Sequence, residues 1–80
     1  MLHEAYDTTD LGRIIKRLRT DRRLTQDQLA AWLSVSRQTV ISLEHGGPVS
    51  IAVAMRALAI LGNKVVVAPK GTIVGERSIP

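Results

Sequence analysis

The sequence predicts a mostly α-helical fold of four to five helices, followed by a short β-strand near the C-terminal end. Apolar residues recur at helical spacing up to about residue 62, and Gly, Pro or short polar stretches separate the periodic segments. Beyond Gly62 the pattern changes to three consecutive valines, which favours an extended strand. We therefore expect a helical domain at residues 1–62 and a strand with a tail at residues 63–80.

Length and composition indicate one small, basic globular domain. The chain has 80 residues, of which 45% are hydrophobic and 22% charged. Eleven Lys and Arg against seven Asp and Glu give a net charge of +4, and the basic residues concentrate in residues 13–23. This excess favours a polyanionic partner, although a solvated helix face would produce the same cluster. The absence of Cys excludes disulfides and thiolate metal sites and is compatible with a reducing cytoplasm.

The first two helices are predicted at residues 11–22 and from Thr25 to about residue 33. In the first, apolar residues repeat at i, i+3, i+4 and i+7, and Thr8 or Thr9 is the expected N-cap. In the second, Thr25 and Gln28 have the spacing of a capping box. Trp32 lies at the border of its apolar face, so we expect partial packing in the core, with contact to a partner protein as the alternative.

The third and fourth helices are predicted at residues 37–44 and 51–61, with Ser36 and Ser50 as their N-caps and Gly62 ending the last one. The fourth helix is apolar nearly all round. A helix of this kind is normally buried on more than one side, which indicates contact with a second subunit.

The segment KVVVA at residues 64–68 is the predicted strand, and a lone strand cannot satisfy its own backbone groups. It can pair with residues 71–75 in an intrachain hairpin, or with its own copy across a two-fold axis. We expect the second arrangement. The predicted dimer interface contains Ile60, Val65, Val66 and Val67.

Two short helices joined by a three- to four-residue turn have the geometry of a helix-turn-helix, in which the second helix enters the major groove of DNA. Arg37 and Gln38 suit guanine and adenine edges, Ser42 can donate or accept, and Ile41 can contact a thymine methyl group. Further polar residues at or near helix N-termini are expected to contact phosphates: Thr25, Gln26 and Thr39.

Residues 24–46, LTQDQLAAWLSVSRQTVISLEHG, closely resemble the Cro/repressor, or Xre, helix-turn-helix family, and the similarity extends over residues 13–23 and 48–62. The resemblance implies a repressor-like DNA-binding domain at residues 1–62. It places Gln26 at a phosphate-contacting position and Arg37, Gln38 and Ser42 at base-contacting positions. It also implies an ion pair between Arg19 and Glu44; the alternative is two unrelated surface charges. Ser34 departs from the family, which often has Gly there, and a non-Gly residue in a left-handed turn is modestly strained.

The apolar fourth helix ending in ALAILG, followed by NKVVVAP, resembles HipB-type antitoxins. In that branch the C-terminal strand pairs across a homodimer, and the protein represses its own operon and binds a HipA-type kinase toxin. The resemblance therefore implies a palindromic operator, a toxin partner and a cytoplasmic, nucleoid-associated protein. The alternatives are a stand-alone phage-type or restriction–modification regulator, for which the strand is unusual, and a module that sequesters a protein partner.

Other function classes find no support in the sequence. There is no nucleophile–base signature and no Gly-rich phosphate loop, so we expect no enzyme and no cofactor. His3 and His45 are far apart and belong to no ligand cluster, so no metal is expected. The N-terminal residues lack the pattern of a signal peptide, and the longest apolar stretch, residues 51–61, is too short to span a bilayer.

Overall fold

A computed structural model describes residues 2–71, which form four α-helices in one domain. They are α1 (Thr8–Asp21), α2 (Gln26–Leu33), α3 (Arg37–Glu44) and α4 (Ile51–Ile60). Helix α3 packs against both α1 and α2, and α4 packs against α2. The mostly helical fold predicted from the sequence is confirmed.

Local capping signals fix the start of each helix. The side chains of Thr25, Ser36 and Ser50 each accept a hydrogen bond from a backbone N–H in the first turn of α2, α3 and α4. The capping box of α2 is complete, because the Gln28 side chain accepts from the Thr25 backbone N–H at 2.8 Å. These three N-caps were predicted, and each satisfies a backbone donor that the helix leaves free.

The predicted start of α1 is wrong by three residues. The helix begins at Thr8, and its N-cap is Asp7, whose carboxylate accepts from the Asp10 N–H at 2.8 Å. Thr8, one of the two predicted caps, lies within the helix, where its hydroxyl donates to the Gly46 carbonyl at 2.9 Å. That bond joins the first turn of α1 to the segment that follows α3.

The hydrophobic core lies where the four helices meet. Its five largest fully buried side chains come from α1, α2, α3 and the end of α4: Ile15, Leu29, Leu33, Val40 and Leu61. Helix α1 approaches α3 very closely at Gly12, where an added Cβ would lie 2.5 Å from the Leu43 carbonyl oxygen and 2.6 Å from that of Glu44. Because both neighbours are backbone atoms, the position requires glycine for steric reasons.

One side chain lies elsewhere than the sequence predicted: Trp32 does not pack in the core but is 62% exposed on α2. Ile60, which was assigned to the dimer interface, is half-buried and packs against the core of its own chain, and its contact with a second subunit stays a prediction. The uncovered side of α4 also carries Ile51 and Met55, both exposed. The expectation that α4 buries one side within the chain and leaves the other side apolar is confirmed.

The predicted strand at residues 64–68 is not formed by the single chain within the part that the structure describes. Residues 63–69 have no regular secondary structure, and Val65, Val66 and Val67 are exposed rather than covered on both faces. The segment lies near the N-terminal residues Leu2 and Ala5. Residues 72–75 of the alternative hairpin lie outside the described residues, so pairing across a dimer stays a prediction. None of the helices among residues 2–71 combines the length and hydropathy needed to cross a membrane.

Candidate nucleic-acid interface

Helices α2 and α3 are joined by a tight turn of residues 34–36. Ser34 adopts a left-handed conformation with φ of 57°, and the Val35 N–H donates to the Ala30 carbonyl at 3.0 Å, which closes the end of α2. Ser36 then caps α3. The turn is short because a single left-handed residue reverses the chain, and it places the N-terminus of α3 beside the first turn of α2.

The first turn of α3 presents two of the residues that were predicted to contact bases. Arg37 and Gln38 are exposed at the start of the helix. Ile41 and Ser42, one turn later, are half-buried. The Ser42 hydroxyl lies directly against Gly47, with no room for a side chain between them. The exposed N-terminal turn, rather than the whole helix, is therefore the part of α3 most accessible to a base edge.

The residues predicted to contact phosphates lie at the N-terminal ends of α2 and α3, but their side chains also make contacts within the protein. The Gln26 amide nitrogen donates to Glu44 Oε1 at 3.2 Å. The Thr39 hydroxyl lies 3.0 Å from the Ser36 hydroxyl. The Thr25 hydroxyl accepts the capping bond from Gln28. The backbone N–H groups of the first turn of α2 and the positive end of its dipole therefore favour a phosphate here more than the Thr25 hydroxyl does.

Two basic residues that were not predicted to contact DNA lie beside those that were. Lys16 and Arg23 line an open groove at the N-terminal end of α2, together with Thr25, Gln26, Asp27 and Arg37. Both side chains are exposed. The basic cluster at residues 13–23 was visible in the sequence, but only the folded chain shows which members turn toward α2. The groove carries cations beside a helix N-terminus, as a phosphate backbone requires.

A buried ion pair lies directly beneath this groove. Arg19 Nε lies 2.6 Å from Glu44 Oε2 and Arg19 Nη2 lies 3.0 Å from Glu44 Oε1, so the guanidinium binds the carboxylate with two hydrogen bonds. A third hydrogen bond runs from Arg19 Nη1 to the Leu24 carbonyl at 2.8 Å. The pair joins α1, the segment before α2 and the end of α3. It thereby holds α3 in place relative to the groove.

Residues 10–64 match the profile of a helix-turn-helix domain family. The chain belongs to this helix-turn-helix family. The match covers more than half of the sequence and includes all four helices except the first two residues of α1. Membership assigns the chain to DNA-binding proteins rather than to enzymes. No curated protein matches the sequence at a significant level.

Two solved structures are similar to this helix-turn-helix protein in fold. One is a HipB variant in complex with an O2 20mer, with a TM-score of 0.78 and 18% identity, covering 88% of this chain and 99% of that one. The other belongs to a HipA–HipB–O2–O3 complex, with a TM-score of 0.76 and 18% identity, covering 86% and 99% of the two chains. The chain is therefore a helix-turn-helix protein with a HipB-like fold.

Proposed function

We propose that this protein is a sequence-specific transcriptional repressor that binds a palindromic operator as a homodimer and serves as the antitoxin of a HipA-type kinase toxin. On this proposal it represses its own operon. It is then a cytoplasmic protein associated with the nucleoid, where the operator lies. Arg37, Gln38, Ile41 and Ser42 contact bases, while Thr25, Gln26 and Thr39 contact phosphates, with help from Lys16 and Arg23.

The observation that carries DNA binding is the juxtaposition of the exposed first turn of α3 with the cationic groove at the start of α2. The groove is suited to hold a phosphate group, which positions the protein without regard to sequence. Arg37 and Gln38 then lie where side chains reach base edges in the major groove. The arrangement therefore combines a phosphate contact, which positions the protein, with base contacts, which depend on the DNA sequence. An operator-binding protein needs both.

Selection of binding sites from a pool of random duplexes tests this part of the proposal. The protein is expected to enrich one sequence with two-fold symmetry, whose half-sites are spaced by about one helical turn or 34 Å. Affinity for the selected site should exceed affinity for a random duplex by about 10³-fold or more at physiological salt. Failure to enrich any sequence would contradict the proposal. Enrichment of a site without two-fold symmetry would contradict the dimer but leave sequence-specific binding intact.

The antitoxin role is supported by a fold match that covers nearly the whole of the HipB chains, including one from a complex that also contains HipA. Two exposed apolar sets outside the candidate DNA interface are available to subunits or partners: Trp32, Ile51 and Met55 on the helices, and Val65, Val66 and Val67 after them. A toxin can therefore bind without displacing the residues assigned to DNA.

Co-expression with a HipA-type kinase encoded beside this gene tests the antitoxin role. The wild-type protein should restore growth and co-purify with the kinase. A variant with Arg37→Ala and Gln38→Ala should still do so while losing operator binding, since these residues lie in the DNA interface. No rescue and no complex would contradict the antitoxin proposal. Loss of both activities in a folded variant would show that the two surfaces overlap.

A further inference from the structure

We propose that Asp27 is a specificity-determining residue, which lowers affinity for non-operator DNA and keeps Arg37 away from the phosphate backbone. The inference rests on the proposed function, since it concerns how the same interface distinguishes operator from random DNA. It assigns a role to an acidic residue within a surface that is otherwise suited to bind an anion.

Asp27 carries the charge that a helix N-terminus favours, although the charged side chains around it in the groove are cations. It lies in the first turn of α2 and lines the groove with the cations Lys16, Arg23 and Arg37. Glu44 is already neutralised beneath the groove by Arg19. Asp27 is therefore the one acidic side chain among the described residues that line this groove. Any phosphate bound at the start of α2 would lie close to its carboxylate.

Asp27 also faces the residue expected to contact a base. Its Oδ1 lies 3.9 Å from Arg37 Nε, and the two side chains are 74% and 61% exposed. An exposed pair at this distance contributes little to stability. The ion pair instead influences the position of the Arg37 guanidinium in the free protein. The carboxylate keeps the guanidinium near the α2–α3 junction, where it is available to a base edge.

The same contact has different consequences on the two kinds of DNA. On random duplex, affinity comes almost entirely from cations on phosphates. There the carboxylate repels the backbone, as it also does on the operator, and in addition it competes with phosphates for Arg37. On the operator, Arg37 binds a base edge with two hydrogen bonds. The Asp27 carboxylate competes less well against this paired contact than against a single phosphate. Asp27 therefore weakens random binding more than operator binding, and so raises the ratio between them.

The test compares Asp27→Asn with Asp21→Asn by fluorescence anisotropy on the selected operator and on random duplex between 50 and 200 mM salt. Both variants gain the same charge and lose one exposed ion pair, because Asp21 lies 3.6 Å from Arg17 on α1. Asp21 does not line the groove. Asp27→Asn should tighten binding to random duplex by about five- to tenfold at low salt and binding to the operator by a clearly smaller factor. Asp21→Asn should change both affinities by the same small factor.

Equal changes on the two duplexes, or equal effects of the two variants, would overturn the inference. Combining Asp27→Asn with Arg37→Ala provides a second readout, because a residue that acts through Arg37 should show non-additive effects on the ratio of affinities. Additive effects would overturn the Arg37 part of the inference. The proposed function would fail differently, since the wild-type protein would then select no operator at all.

Discussion

Arg19 on α1 and Glu44 at the end of α3 form a buried ion pair joined by two hydrogen bonds of 2.6 and 3.0 Å. Their side chains are only 9% and 1% exposed. Every other ion pair within residues 2–71 lies between side chains that are mostly or partly exposed. The buried pair therefore fixes the orientation of α3, the helix proposed to contact DNA, relative to α1.

Replacing Glu44 by Gln should destabilise the domain strongly. The change leaves the Arg19 guanidinium buried without a counter-charge, which typically costs about 3–5 kcal/mol. Asp21→Asn, which breaks the exposed pair with Arg17, should cost about 0–1 kcal/mol. Urea denaturation followed by circular dichroism measures both. A loss near zero for Glu44→Gln would show that the buried pair does not stabilise the fold.

Gly12→Ala should destabilise the domain although alanine favours helix. The new Cβ would meet two carbonyl oxygens of α3 at 2.5 and 2.6 Å, and backbone atoms cannot rotate away. Overpacking of this kind costs about 1–3 kcal/mol, which exceeds the helix preference of alanine. Thr20→Ala, at an exposed position of the same helix, is the control and should change the melting temperature little. An unchanged melting temperature for Gly12→Ala would contradict the close approach.

Ser34→Gly should stabilise the protein. Ser34 has a φ of 57°, a left-handed conformation that costs a non-glycine residue about 1–2 kcal/mol. Glycine removes this strain but loses more chain entropy on folding, so we expect a net gain of about 0.5–1 kcal/mol. Ser34→Val should be destabilising, because β-branched residues tolerate this conformation poorly. Thermal melts of the two variants should therefore move in opposite directions. A shift in the same direction would contradict strain at this turn.

The predicted pairing of residues 64–68 across a dimer is tested by two variants at Val66. Proline removes a backbone donor and should dissociate the dimer if that N–H pairs with the partner strand. Threonine keeps the donor and a β-branched shape, so Val66→Thr should stay dimeric. Analytical ultracentrifugation distinguishes the two. A chain truncated after Ala68 should also remain a dimer; a monomer would show that residues 69–80 are essential and that the strand-pairing account is wrong.

Local signals in the sequence predicted the helix boundaries well, because a cap is set by residues three or four apart. Thr25, Ser36 and Ser50 were identified in this way. The start of α1 was misjudged because Asp7, Thr8 and Thr9 are all good N-caps. Local sequence does not distinguish them, and in the structure Thr8 donates instead to Gly46, a residue far away in the chain.

Contacts between helices were harder to predict. The helical period placed Trp32 at the border of an apolar face, but it could not show whether a neighbouring helix covers that border, and none does so fully. Gly12 carried a usable signal, since an interior glycine in a helix often marks a close approach. The proximity of Asp27 to Arg37 depends on the angle between α2 and α3, which no local sequence pattern predicts.

The central claim is that the first turn of α3 recognises bases, and Arg37→Ala tests it most directly. The affinities of the wild-type and variant proteins should be measured on the selected operator and on random duplex at the same salt concentration. We expect the variant to lose about 1–3 kcal/mol on the operator, to lose much less on random duplex, and to tolerate substitution at one base position. Equal losses on both duplexes would mean that Arg37 contacts only phosphates, and would contradict base recognition by this helix.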